Sequence, residues 1–153
     1  MVSLNVKHLP RDRILLGLRI KTELDLFTEV ARSVAGSDPL MAARVRDRLA
    51  LRHARRTVCL GGGVALPHAA IPGLTATRAV FVRSLTPIAM GSTDEEGVTS
   101  ALALLVPPPG LAADYDLLMS LTDFLRRAAT REALLRARSA AQVQALFVNE
   151  DPV

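Results

Sequence analysis

A 153-residue, 16.4 kDa chain is the size of one ordinary domain, and half of it is hydrophobic without one tryptophan, so its core has to be built from Leu, Val and Ala. No apolar run reaches the roughly 18 residues of a membrane helix, MVSLNVKHLPRDR is too charged for a signal peptide, and Cys59 alone makes no internal disulfide, which together predict a cytoplasmic protein without membrane insertion. The net charge of +4 comes from arginines scattered between Arg11 and Arg138, with one knot at Arg52, Arg55 and Arg56, and only 3% of residues are aromatic; this argues against nucleic acid and suits an acidic protein partner or a phosphorylated ligand.

In chain order, the first ten residues read as a loose leader, and RILLGLR (13–19) as a strand or edge segment. From Thr22 the period turns helical: Leu24, Phe27, Val30, Ala31 and Val34 share a face, with Thr22 as N-cap and Gly36 as the terminating glycine. Asp38-Pro39 is an N-cap followed by proline at the first helical position, which predicts a second helix through about Ala54, with an apolar face at Val45 and Leu49 and an arginine-rich opposite face. After the glycines, VALPH is too short for a helix and RAVFVRSL (78–85) reads as a strand. VTSALALLV (98–106), closed by Pro107, Pro108 and Pro109, has strand length, although its Ala-Leu alternation also suits a buried helix. Helices return at Asp116 to Ala128, then from a Thr130 cap through Arg136, and after the capping box Ser139-Ala-Ala-Gln142. The order predicts an α/β protein, a single domain over 1–153 with its core at about 14–147, in which a central mixed β-sheet is flanked by helices.

The stretch GGGVALPHAAIPG (61–73) carries the candidate chemistry. Gly61, Gly62 and Gly63 let backbone N–H groups approach an anion, since no Cβ stands in the way, but the string is neither a Walker loop nor a dinucleotide fingerprint. His68 follows Pro67, which stiffens the segment and biases Leu66 toward an extended conformation. A neutral imidazole is nucleophilic near pH 7 and can accept a phosphoryl group. The plainer alternative is a half-buried loop histidine with no chemical role. His53, His68 and Cys59 lack the paired spacing of zinc ligands, and no GxSxG hydrolase motif is present.

Arg52 stands sixteen residues before His68 in RHARRTVCLGGGVALPH. With TELDLF, TPIAM and ALALLVP, this stretch resembles the IIA component of the bacterial phosphoenolpyruvate-dependent phosphotransferase system, fructose/mannitol type, a group that includes the nitrogen-regulatory IIA proteins. The likeness runs from about Ile14 through Phe147. It implies that His68 accepts a phosphoryl group from the phosphohistidine of HPr, or of the nitrogen-branch HPr, and passes it to a cysteine of a IIB domain or uses it toward a regulatory target. It implies Arg52 as the phosphoryl clamp and Thr57, Gly61, Gly62 and Gly63 as a phosphate-binding loop, with no metal and no other cofactor. A guanidinium suits that task because it can give phosphoryl oxygens two parallel hydrogen bonds.

The sequence departs from the family pattern at Asp114, which aligns with the second histidine of many relatives and has Tyr115 beside it. An ionised carboxylate ~4 Å from the phosphoryl group would repel it by of order 4 kcal/mol per unit charge at an effective dielectric of ~20. Alternatively, the carboxylate accepts a hydrogen bond from His68 and fixes its tautomer. The family's Ser/Thr-rich loop is reduced to Thr57, and His53 replaces the Glu after the motif arginine. CLGGG and the acidic TDEEG lean toward mannitol-type domains, whereas a free-standing chain suits the regulatory branch. Two expectations follow: a phosphocarrier, or a regulatory protein-binding module whose phosphotransfer is altered or lost through Asp114.

Overall fold

A computed structural model describes residues 4–91 and 97–148. Its strands are β1 (Ile14–Leu18), β2 (Cys59–Gly61), β3 (Val64–Ala65), β4 (His68–Ala70), β5 (Arg78–Ile88) and β6 (Val98–Val106). The helices are α1 (Glu23–Ala35), α2 (Pro39–Arg55), α3 (Ala112–Arg126), α4 (Ala128–Arg136) and α5 (Ala140–Phe147). The sheet order is β1-β5-β6-β3-β2, with β4 also on β6. β5 and β6 pair antiparallel, β1 runs parallel to β5, and β3 and β4 both run parallel to β6, so the sheet is mixed as the order of elements predicts.

Both faces of this sheet are covered. On one side Val80, Val82, Ala101, Ala103 and Leu105 pack with Phe27, Val30, Val45 and Leu49 of α1 and α2. On the other, Phe81, Leu102 and Leu104 pack with Leu121, Leu125, Leu134 and Phe147 of α3, α4 and α5. A central strand buried on both faces has no polar alternation to display, which is why VTSALALLV is apolar from Ala101 onward and is a strand rather than a helix.

The caps of the first two helices act as expected. Thr22 Oγ1 accepts from Asp25 N at 3.1 Å, Asp38 Oδ1 accepts from Leu40 N and Met41 N at 3.1 and 3.2 Å, and Gly36 closes α1 with φ +58°. Other expectations need correction. The segment before residue 11 is not loose from Leu4 onward: Leu4 and Leu9 are 2% and 0% exposed in the α3–α5 side of the core, and Leu4 bridges Val148. α3 begins at Ala112, four residues before Asp116, because Asp114 Oδ2 reaches back to accept from Leu111 N at 2.9 Å. Thr130 does not cap α4; it is buried inside the first turn, two residues after the alanine that opens the helix. Ser139 does cap α5, but Gln142 Oε1 accepts from Arg138 N rather than from Ser139 N. The acidic residues of TDEEG lie outside the described residues.

Candidate functional site

Along one edge of β6, β3 pairs first and β4 takes over farther on, with Val64 opposite Ser100 and His68 opposite Leu104. The chain changes partner at Leu66-Pro67, where Leu66 N donates to Val58 O at 2.9 Å and Pro67 O accepts from Leu104 N at 2.8 Å. His68 is thus held on a short strand by main-chain bonds on either side of a proline that could donate none itself.

The imidazole Nδ1 lies 2.8 Å from the carbonyl oxygen of Leu66. A carbonyl only accepts, so the proton sits on Nδ1 and, in the neutral ring, Nε2 carries the free lone pair. Burial of the half-buried ring is the main reason its pKa lies below the ordinary histidine value of 6.5; the Leu66 bond opposes this, and the positive charge of Arg52 adds to it. The ring is therefore poised as a neutral nucleophile at physiological pH.

His68 and Arg52 open onto one depression of about 290 Å³, which Asp114, Tyr115, Leu111 and Leu118 also line. Arg52 comes from the last turn of α2 and Asp114 from the first turn of α3, so the depression lies between the two helical layers. Arg52 Nη1 donates to Arg56 O at 3.0 Å, which fixes one end of a guanidinium with five N–H donors. Asp114 does not set the tautomer of His68, since the Leu66 carbonyl does. Its Oδ1 accepts from Thr77 Oγ1 at 2.8 Å and its Oδ2 from Leu111 N, so the carboxylate ties the start of α3 to the segment ahead of β5. His8 belongs to the same neighbourhood: burial and the nearby Arg78 lower its pKa, and Asp114 opposes them.

The remaining expected site residues lie elsewhere. Gly61, Gly62 and Gly63 form the turn between β2 and β3, with φ of +85°, +63° and +79°. Gly63 O accepts from Thr99 N and Ser100 N, four residues of β6 before Leu104, which places the turn about 13 Å from His68 at a strand rise of roughly 3.3 Å per residue. The turn explains the glycines, and none of the three lines the depression. Thr57 Oγ1 accepts from Cys59 N at 3.1 Å, and Thr57 lines a separate hollow with His53 and Glu23. His53 is a structural staple: its Nε2 faces Met90 O and Glu23 Oε2, both at 2.9 Å, its Nδ1 accepts from Val58 N at 3.3 Å, and its ring meets Phe27 edge-on. Sequence reasoning missed Leu111, Leu118 and Thr77. Thr77 and Asp114 are 37 positions apart with no spacing signal, whereas the Pro107–Gly110 run before α3 does mark where a wall of the depression turns. Among the described residues, no three His, Cys, Asp or Glu side chains gather as a metal site, and no helix is long and apolar enough to cross a membrane.

The sequence profile described as phosphoenolpyruvate-dependent sugar phosphotransferase system, EIIA 2, matches residues 7–150. The chain belongs to this EIIA family. A nitrogen regulatory protein of Bradyrhizobium diazoefficiens is 27% identical over 136 residues, covering 89% of this chain and 87% of the relative. The crystal structure of nitrogen regulatory protein IIA-Ntr from Neisseria meningitidis superposes with a TM-score of 0.85 at 27% identity, covering 92% of this chain and 97% of that one. IIA mannitol from Escherichia coli has a TM-score of 0.72 at 17% identity, covers 91% and 98% respectively, and so shares the fold. As an EIIA protein, the chain has a phosphotransferase-system role of carrier or regulatory type.

Proposed function

We propose that this EIIA protein is a phosphohistidine carrier in which Nε2 of His68 takes a phosphoryl group from HPr or its nitrogen-branch equivalent. It then passes the group to a IIB domain or holds it as a regulatory signal. The observation that carries this reading is the Nδ1–H bond to the Leu66 carbonyl, which leaves Nε2 as the free nucleophile beside Arg52. In the transfer, the Nε2 lone pair forms the new N–P bond, the donor's P–N bond breaks, and the donor imidazole keeps that electron pair. The ring gains positive charge as it forms the bond, and the Leu66 carbonyl on the opposite nitrogen stabilises that charge. Phosphoryl transfer demands positioning and charge stabilisation more than covalent chemistry, and Arg52 supplies the charge. The family's glycine loop has no part in this version, because the β2–β3 turn lies too far along the sheet.

Incubation with labelled phosphoenolpyruvate, enzyme I and HPr should label the wild-type protein and leave His68→Ala unlabelled. Absence of label from both HPr and the nitrogen-branch carrier would refute the reading. A second reading, a regulatory binding module with weakened phosphotransfer, draws on Asp114, whose carboxylate lines the same depression. Under it, Asp114→His should create or accelerate labelling. Equal rates in the two proteins would leave the carrier reading alone.

A further inference from the structure

We propose that the protein partner that meets His68 presents an acidic surface to α2. The inference rests on the phosphocarrier reading and adds the chemistry of the partner. α2 holds five arginines and one aspartate, an excess equal to the net charge of the whole chain. Arg44, Arg48 and Arg52 recur every fourth residue and so form one row, about 12 Å long at a rise of 1.5 Å per residue, with Arg55 a turn further on. The row ends in the depression itself, because Arg52 lines it beside His68. Among the described residues, the arginine ion pairs are Arg32 with Glu29 and Arg46 with Asp47; Arg44, Arg48, Arg52 and Arg55 have no carboxylate partner.

A protein that delivers a group to the floor of this depression has to cover its rim. On the α3 side the rim carries Leu111 and Tyr115, 69% and 65% exposed, with the Asp114 carboxylate between them already accepting from Thr77 Oγ1 and Leu111 N; on the α2 side stands Arg52, from which the arginine row runs back along the helix. Covering unpaired guanidinium groups with anything but carboxylates leaves desolvated charge and is unfavourable, so the row selects an acidic face. A nucleic acid fits less well. The aromatic side chain on the rim is the single tyrosine across the depression from the row, and the row is short beside a phosphate backbone.

The test compares two donors. Phosphoramidate, a small molecule, reports the chemistry of His68 without docking; phospho-HPr and the phosphorylated nitrogen-branch carrier report docking as well. For the faster protein donor, the second-order rate on wild type should fall steadily as salt is raised. The double variant Arg48→Glu, Arg55→Glu should lose about tenfold or more through KM, with kcat held. Arg136→Glu with Arg138→Glu, an equal change of charge on the opposite helical layer, should lose far less. If phosphoramidate labels wild type normally but the protein-donor rate ignores salt and the α2 reversal, the docking proposal fails alone. If phosphoramidate and both protein donors leave His68 unlabelled, the phosphocarrier reading fails and takes the proposal with it. Tight binding of a duplex oligonucleotide controlled by Arg48 and Arg55, with no effect on the protein donor, also overturns it.

Discussion

At the scale of the residue, the protonation of His68 follows from three neighbours. Burial and Arg52 push its pKa below 6.5, and the Leu66 carbonyl holds the remaining proton on Nδ1. Protonation at Nε2 removes the nucleophile, so labelling by phosphoramidate should rise with pH to a plateau, with a midpoint below 6.5 that matches the NMR titration of the ring. Arg52→Ala should move the midpoint upward, because a repelling charge is gone, while lowering the plateau. The sign for stability is the same: with the folded pKa depressed, the contribution is present above 6.5 and is lost as pH falls through the folded value. Gly62 is a second residue with a sharp expectation. Its φ is +63°, and a Cβ there would lie 2.5 Å from Arg131 Nε. Gly62→Ala should cost about 1–2 kcal/mol in denaturant unfolding and leave phosphoramidate labelling unchanged. Lost labelling at wild-type stability would return the glycines to the phosphate site.

Elements differ in how far their causes lie from them in sequence. α1 and α2 are legible because their caps and apolar periods, with the terminating Gly36 of α1 and the opening Pro39 of α2, all act within a few residues. The pairing of Arg52 with His68 rests on the resemblance, whose sixteen-residue spacing spans β2, the glycine turn and β3, and both residues line the one depression. α3 was read four residues late, because its first turn is closed by Asp114 reaching back to a leucine amide and not by a residue with a capping side chain. Thr130 has a capping side chain but sits inside a helix that two alanines had already begun. The short strands β2, β3 and β4 have too few residues for any period, and the pairing of β3 and β4 with β6 is non-local. That pairing also decides which loop residues reach the depression, and Gly61, Gly62, Gly63 and Thr57, expected there from the resemblance, do not line it. One element end depends on a distant side chain: Arg83 of β5 donates to Leu134 O at 2.8 Å and to Ala137 O, which closes the last turn of α4. Arg83→Met should cost about 2 kcal/mol, since two half-buried carbonyls lose a charged donor. The loss should appear as faster amide exchange in α4 and its junction with α5.

For the whole molecule, the two sides of the core are joined by shared strands. Val80 and Val82 point to α1 and α2 while Ala79 and Phe81 point to α3–α5, and β6 divides its residues in the same way. Neither helical layer can leave without exposing a face of β5 and β6, so the layers should not unfold separately. Phe27 is 1% exposed in one layer; Phe147 is 0% exposed in the other, with Phe81 and Phe124 at ring distances of 5.8 and 5.7 Å. Phe27→Ala and Phe147→Ala should each cost about 3–5 kcal/mol, and each should move the same single transition in calorimetry and circular dichroism. Two resolved transitions in either variant would mean that the layers are independent. The site bears on this result directly. Arg52 comes from the α1–α2 layer and Asp114 from the α3–α5 layer, while His68 rides on the sheet between them. If the layers unfold as one unit, the distance between Arg52 and His68 is held by the entire core, and a core substitution away from the depression, in either layer, reaches labelling of His68 only by unfolding the protein. Labelling of the folded fraction in both variants should then stay at the wild-type rate.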